Sequence, residues 1–244
     1  MAIMWIMIWG ILVFGVMIFT ITYYLPKLSE RVSVSKTENL ANTNENDGII
    51  TVQSNKYNSF ILNNRYLTIL FLIVCTCFAG WCGYAAYIHS VSVLSIVKMT
   101  VAMCILSCIV ITDMELMIIP NACSICMVVC RVFISIVEFI CIKDEALAWA
   151  LNSVFAMLIS LILLVIVSLL TRGGLGMGDV KLFSSLGFMC GIRAVYFSVM
   201  FAFIFCAVAS TVFLVMKKKS LKDSLPLGPF IWLGYGVTVL LAIM

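Results

Sequence analysis

The chain has 244 residues, of which 64% are hydrophobic and only 11% charged, where a soluble domain is about half apolar and about a quarter charged. Its net charge of +4 comes from 15 Lys and Arg against 11 Asp and Glu, without the aromatic-basic patterning of a nucleic-acid binder, so the excess reads as a topology signal and no nucleic-acid partner is expected. A water-soluble globular domain is excluded: lipid is the solvent, backbone groups inside it must be satisfied internally, and unalternated runs of roughly 20 residues specify helices, not barrel strands.

The first apolar run, Ile3 to Leu25, ends at Leu25-Pro26. It lacks a basic leading region and is long for a cleaved signal peptide, so it is read as a spanning helix. Residues 27–65 are polar, with Lys27, Arg31, Lys36, Lys56 and Arg65, and form the one sizeable soluble segment. About 40 residues make no substantial core of their own. Runs two and three are Tyr66 to Tyr87 and Val91 to Thr112, the latter containing Lys98.

A short polar connection, Asp113-Met114-Glu115, leads to Ile119-Pro120-Asn121. Pro120 suits a helix start, where its missing N–H is not needed. Run four covers Asn121 to Ile142. Its Arg131 and Glu138 are seven residues apart, a spacing that puts them on one helix face as buried polar partners, with Lys98 as a further partner or snorkelling to the interface. Lys143-Asp144-Glu145 reads as a tight turn before run five, Ala146 to Leu170.

Then comes Gly173-Gly174-Leu175-Gly176-Met177-Gly178-Asp179-Val180-Lys181-Leu182. Four glycines in six residues mark an irregular, closely approached backbone. An aspartate at a membrane-embedded helix start is costly and reads as functional. The apolar piece after Asp179 reaches Cys190 in about 12 residues, short for a hydrocarbon core of about 30 Å, and reads as a short or broken crossing. Runs from Ala194 to Met216 and from Pro226 to Met244 complete the chain, separated by a segment holding Lys217, Lys218, Lys219 and Lys222. The eleven cysteines fall almost entirely in the apolar runs and read as small hydrophobes. No metal site is expected, and the lone His89 sits at a predicted helix end.

Charge bias orients the map. Placing residues 27–65 and 217–222 in the cytoplasm brings Arg172 to the same side, so ten Lys and Arg lie there against Lys143 and Arg193 outside, as the positive-inside rule demands. The expected fold is an all-α polytopic transmembrane bundle of about eight spanning segments, one of them short or broken, with both termini outside. Two parts are expected: 1–65, the first helix plus cytoplasmic loop, and 66–244, a transmembrane peptidase domain. On this map Asp113 and Asp179 meet at the same cytoplasmic membrane face. Two carboxylates in a poorly hydrated site share a proton, so one can take a proton from water while the other donates to a scissile carbonyl. That chemistry hydrolyses peptides with no cofactor and no covalent intermediate. Gly176 and Gly178 would let an extended substrate strand approach. Glu115 is a candidate for attracting a basic substrate. Lys181, two residues from Asp179 and so turned away from it on a helix, is a candidate for holding a substrate carboxylate or a lipid head group.

Together these residues resemble the type IV prepilin leader peptidase family of Gly-x-Gly-Asp membrane aspartyl peptidases. Asp113 followed by six residues and Pro120-Asn121 is similar to its first catalytic segment, and Gly176-Met177-Gly178-Asp179-Val180-Lys181-Leu182 to its second. Pro226-Leu227-Gly228-Pro229-Phe230 resembles the opening of its last helix. The resemblance implies Asp113 and Asp179 as the catalytic pair, prepilins and pilin-like proteins as substrates, and the bacterial inner membrane as the location. Many members also N-methylate the new terminus with S-adenosylmethionine and carry Cys-x-x-Cys pairs in the first cytoplasmic loop. Residues 27–65 hold no cysteine, which argues against a zinc-stabilised loop and leaves methylation open. Two alternatives stand beside this. One is another Gly-x-Gly-Asp peptidase of the preflagellin or presenilin type. The other is a transporter or scaffold, which the short piece 179–190 fits but to which the unrepeated glycine stretch is opposed.

Overall fold

The computed structural model describes residues 92–141, 143–171, 174–216 and 226–241, with the isolated positions Gly15, Ile73, Cys77, Gly80 and Tyr84. The described residues form six helices and no strand: α1 (Val93–Leu116), α2 (Asn121–Cys141), α3 (Lys143–Leu170), α4 (Met177–Cys190), α5 (Ile192–Val215) and α6 (Gly228–Leu240). They coincide with the last six of the apolar runs. Runs one and two, the loop 27–65 and the segment 217–222 lie outside the described residues.

Among the described residues, four helices are long and apolar enough to cross a membrane: Leu94–Met114 within α1, all of α2, Glu145–Leu170 within α3, and all of α5. This is a membrane protein with an all-helical fold. The other two helices are short. At 1.5 Å per residue, the 14 residues of α4 extend about 21 Å, less than a hydrocarbon core of about 30 Å. The structure therefore carries four long spans and two short helices where the sequence led us to expect six of about eight crossings.

The short helices form the interior. α4 packs against α1, α2, α3 and α5, and Val180, Leu182, Phe183, Leu186 and Met189 are buried with Ser184 and Ser185. Gly187 allows this: a Cβ there would sit 3.0 Å from the Ala156 carbonyl oxygen and 3.1 Å from Ser160 Oγ on α3. Small residues play the same part between α5 and α6, where a Cβ on Gly234 would lie 2.7 Å from the backbone at Ser198 and Ala202. Close backbone approach of this kind is how membrane helices associate, since lipid offers no hydrophobic drive between them. Polar cross-links add to it: Trp232 Nε1 donates to Ser107 Oγ at 3.0 Å, and Ser198 Oγ donates to Thr238 Oγ1 at 3.2 Å.

α2 presents one buried stripe, Ser124, Met127, Arg131, Ile134 and Glu138, at alternating steps of three and four residues, one face of a helix. Arg131 and Glu138 do share that face, and Arg131 Nη1 donates to Glu138 Oε2 at 2.8 Å. Lys98 Nζ reaches Glu138 Oε1 at 3.0 Å, so the expected partnership of all three is present.

Two boundaries differ from the sequence reading, and the start of α2 agrees with it. α1 does not stop at Thr112 but carries Asp113 and Glu115 in its last turn. Lys143-Asp144-Glu145 is not a turn but the start of α3. Pro120 stands just before α2, its carbonyl accepting from the Cys123 N–H at 3.0 Å.

Candidate active site

Three helix ends converge at one end of the bundle. α1 stops because Met117 adopts the left-handed conformation (φ 51°, ψ 36°) and its N–H caps the Asp113 carbonyl. That conformation costs a non-glycine residue roughly 1–2 kcal/mol and turns the chain into Ile118-Ile119-Pro120. The glycine stretch follows α3 and is tied back to it by Ser168 Oγ, which donates to the Leu175 carbonyl at 2.8 Å. Pro226-Leu227 brings in α6, with Pro229 in its first turn, where proline is tolerated best.

Asp113, only 6% exposed, receives the Gly228 backbone N–H on Oδ2 at 2.6 Å. Gly228 opens α6, so this N–H has no partner within its own helix, and the carboxylate sits at the positive end of the helix dipole. A side chain there would not fit, because a Cβ on Gly228 would lie 2.9 Å from Asp113 Oδ2 and 3.0 Å from Asp113 Cβ.

Asp179 repeats the arrangement on α4. It lies in the helix's first turn behind the N-cap Gly176, whose backbone N–H bonds its carboxylate, in the manner of the acidic half of a capping box. A Cβ on Gly176 would stand 3.0 Å from Asp179 Oδ2. Gly178 serves the other wall: a Cβ there would meet Ile119 Cβ at 3.3 Å. Asp179 lies outside the four long spans. Its burial, and then the charge of Asp113, push its carboxyl from 3.8 up to about 6, while the Gly176 N–H pulls the other way.

The two aspartates line one cavity of about 240 Å³ with Gly176, Gly178, Met117, Ile119, Pro226 and Leu227. It joins two carboxyl groups to an apolar wall and two glycines. Of the residues singled out in the sequence, Asp113, Asp179, Gly176 and Gly178 are brought together. Lys181 is not among the lining residues; it is exposed and its Nζ lies 3.4 Å from Asn121 Oδ1 on α2. Glu115 belongs to the last turn of α1, and its side chain lies outside the described residues.

Sequence reasoning passed over Gly228 and Met117. The Gly228-Pro229 pair did carry a signal, since glycine and proline together at the head of an apolar run mark a helix N-terminus with a free N–H. Met117 carried none, because its conformation is imposed by the helix end.

Residues 100–211 match the model described as the type IV leader peptidase family. That stretch contains both aspartate motifs and ends before α6. The match bears out the resemblance read from the motifs and supports a type IV leader peptidase-like protease embedded in a membrane. Among the curated proteins and the solved structures, nothing matches the chain.

Proposed function

We propose that the protein is an aspartic endopeptidase that removes the basic leader from type IV prepilins and pilin-like subunits. It acts at the cytoplasmic face of the bacterial inner membrane, with Asp113 and Asp179 as its catalytic pair. The observation that carries this reading is the meeting of the two carboxylates in one cavity, each at the N-terminus of a helix. Like charges are not brought together in a poorly hydrated site for stability's sake, and such pairs cluster where proton transfer is done.

The pair works with one proton. The ionised carboxylate takes a proton from water, whose oxygen attacks the scissile carbonyl carbon. The protonated carboxyl donates to the carbonyl oxygen, giving a neutral tetrahedral diol. Collapse of the diol breaks the C–N bond, and the amine leaves with a proton returned from the pair. The peptide lies extended along Gly176 and Gly178, where its backbone approaches without meeting a Cβ. The pilin-like apolar helix that follows the cut remains in the bilayer.

The charge bias of the polar loops supports placing this end of the bundle in the cytoplasm. Methylation of the new N-terminus with S-adenosylmethionine is a second activity that the resemblance attaches to residues 1–65. It takes no part in the peptidase steps above.

The test is cleavage of a prepilin by membranes containing the wild type, Asp113→Ala or Asp179→Ala at matched protein levels. Each substitution is expected to lower cleavage by about 10³-fold or more. Wild-type cleavage by either variant would overturn the assignment.

A further inference from the structure

The end of the bundle far from the aspartates holds a second polar cavity that the peptidase reaction does not use. It is about 230 Å³ and is lined by Ser95 and Lys98 of α1, Arg131 of α2, Asn152 and Ser153 of α3, and Gly191. Lys98 lies 15 residues before Asp113 on the same helix, about 22 Å along its axis.

The cavity is cationic. Arg131 is 1% exposed. It spends Nη1 on Glu138 Oε2 at 2.8 Å and Nη2 on Ser153 Oγ at 2.9 Å. Its Nε–H, fully buried, has no partner among the described residues. Lys98 Nζ stands 5.1 Å over the Trp149 ring and 3.0 Å from Glu138 Oε1. That is ion-pair distance, yet the two are misaligned for a hydrogen bond, since Oε1 has no hydrogen-bond partner among the described residues. Among the described residues two cations therefore share one carboxylate, leaving one positive charge over. A buried donor without an acceptor costs about 1–3 kcal/mol, and an unbalanced charge inside a membrane protein marks a site.

The polar cavity adjoins an apolar one. A groove of about 290 Å³ runs between α3 and α5, lined by Ile159, Leu163, Ile192, Tyr196 and Phe197, with Arg193 also on its lining. The two linings come from neighbouring positions: Asn152 and Ala156 are one helical turn apart on α3, and Gly191 and Ile192 are consecutive. Gly191 makes the junction close, because it has φ 88° and a Cβ on it would lie 2.8 Å from Asn152 Nδ2.

The geometry points to a phospholipid site, with the phosphate in the Lys98–Arg131 cavity and an acyl chain in the α3–α5 groove. A phosphate supplies the negative charge that Glu138 alone does not provide to Lys98 and Arg131. Basic pockets between transmembrane helices hold lipid head groups in this way. Continuity with an apolar groove favours a lipid over free phosphate.

The test uses the full chain, delipidated in detergent, with bound lipid counted by native mass spectrometry and melting followed in parallel. The probes are phosphatidylglycerol, a diacylglycerol with the same chains and no phosphate, and inorganic phosphate. Asn152 is exposed, so its charge can be changed without breaking the Arg131–Glu138 pair. Asn152→Asp is expected to weaken phosphatidylglycerol about tenfold and Asn152→Lys to strengthen it, each change being worth about one charge-assisted contact. Lys98→Gln is expected to weaken it as well. Opposite responses to the two Asn152 substitutions do not arise from loss of fold. Equal binding of phosphatidylglycerol by wild type, Asn152→Asp and Asn152→Lys would overturn the site. Diacylglycerol bound as tightly as phosphatidylglycerol would overturn the role of the phosphate, and displacement by equimolar inorganic phosphate would overturn a lipid as its source.

Discussion

The two ends of this bundle bury charge in opposite ways. At one end Glu138 lies between Arg131 and Lys98, with unlike charges paired between α1 and α2. At the other, Asp113 and Asp179 face one cavity with no cation among the described residues that line it, held by backbone N–H groups at the heads of α6 and α4. The first arrangement relieves the cost of burying ions. The second keeps it, because two carboxylates repel unless a proton lies between them.

The largest effects break each end in a different currency. Glu138→Leu leaves two cations without their carboxylate and is expected to cost about 3–5 kcal/mol of stability, read as a lower unfolding midpoint in detergent. Cleavage per folded molecule should hold. Asp179→Asn should do the reverse, with cleavage lost by about 10³-fold and the unfolding midpoint equal to or above that of wild type, because a like-charge repulsion has gone. A lower midpoint in Asp179→Asn would show the pair to be structural.

Gly228→Ala comes next. Its Cβ would lie 2.9 Å from Asp113 Oδ2, and the carboxylate must move. A misplacement on the order of 1 Å costs about 10²-fold in rate, so kcat should fall by roughly that amount with the fold intact. A variant with wild-type kcat would remove Gly228 from the site.

The pH dependence is gentler. Asp179, raised to about 6 by burial and by Asp113, keeps a proton below that value and loses it above. Cleavage needs one proton on the pair, so kcat/KM should decline as pH rises through about 6. The apparent value belongs to the pair, not to either residue. A flat profile through that range would contradict the shared proton. The smallest effect is expected at Lys181, whose exposed Nζ rests 3.4 Å from Asn121. Lys181→Met should change kcat/KM by less than about threefold, the weight of an exposed polar contact.

Much of this was legible in the chain. Unbroken apolar runs gave away the helices, because a backbone in lipid has few other ways to satisfy itself. Helix counting brought Asp113 and Asp179 to one face, and a spacing of seven placed Arg131 beside Glu138. Other features needed tertiary structure. α1 continues past Thr112 because packing carries Asp113 inside the helix, although its polarity in the sequence looks like a loop. The Gly228 N–H reaches a carboxylate 115 residues away, a contact that no local pattern encodes. The short α4 looked like a broken crossing, yet it and α6 are the most enclosed helices of the bundle, since their small residues let neighbours close around them.

The central claim is that Asp113 and Asp179 act as one site. The most direct measurement compares prepilin cleavage by Asp113→Asn, Asp179→Asn and the double variant. Groups that work as a unit are non-additive, so each single substitution should lose cleavage by about 10³-fold or more and the double should lose no more than either. Independent, multiplying losses, or cleavage retained by either single variant, would contradict it.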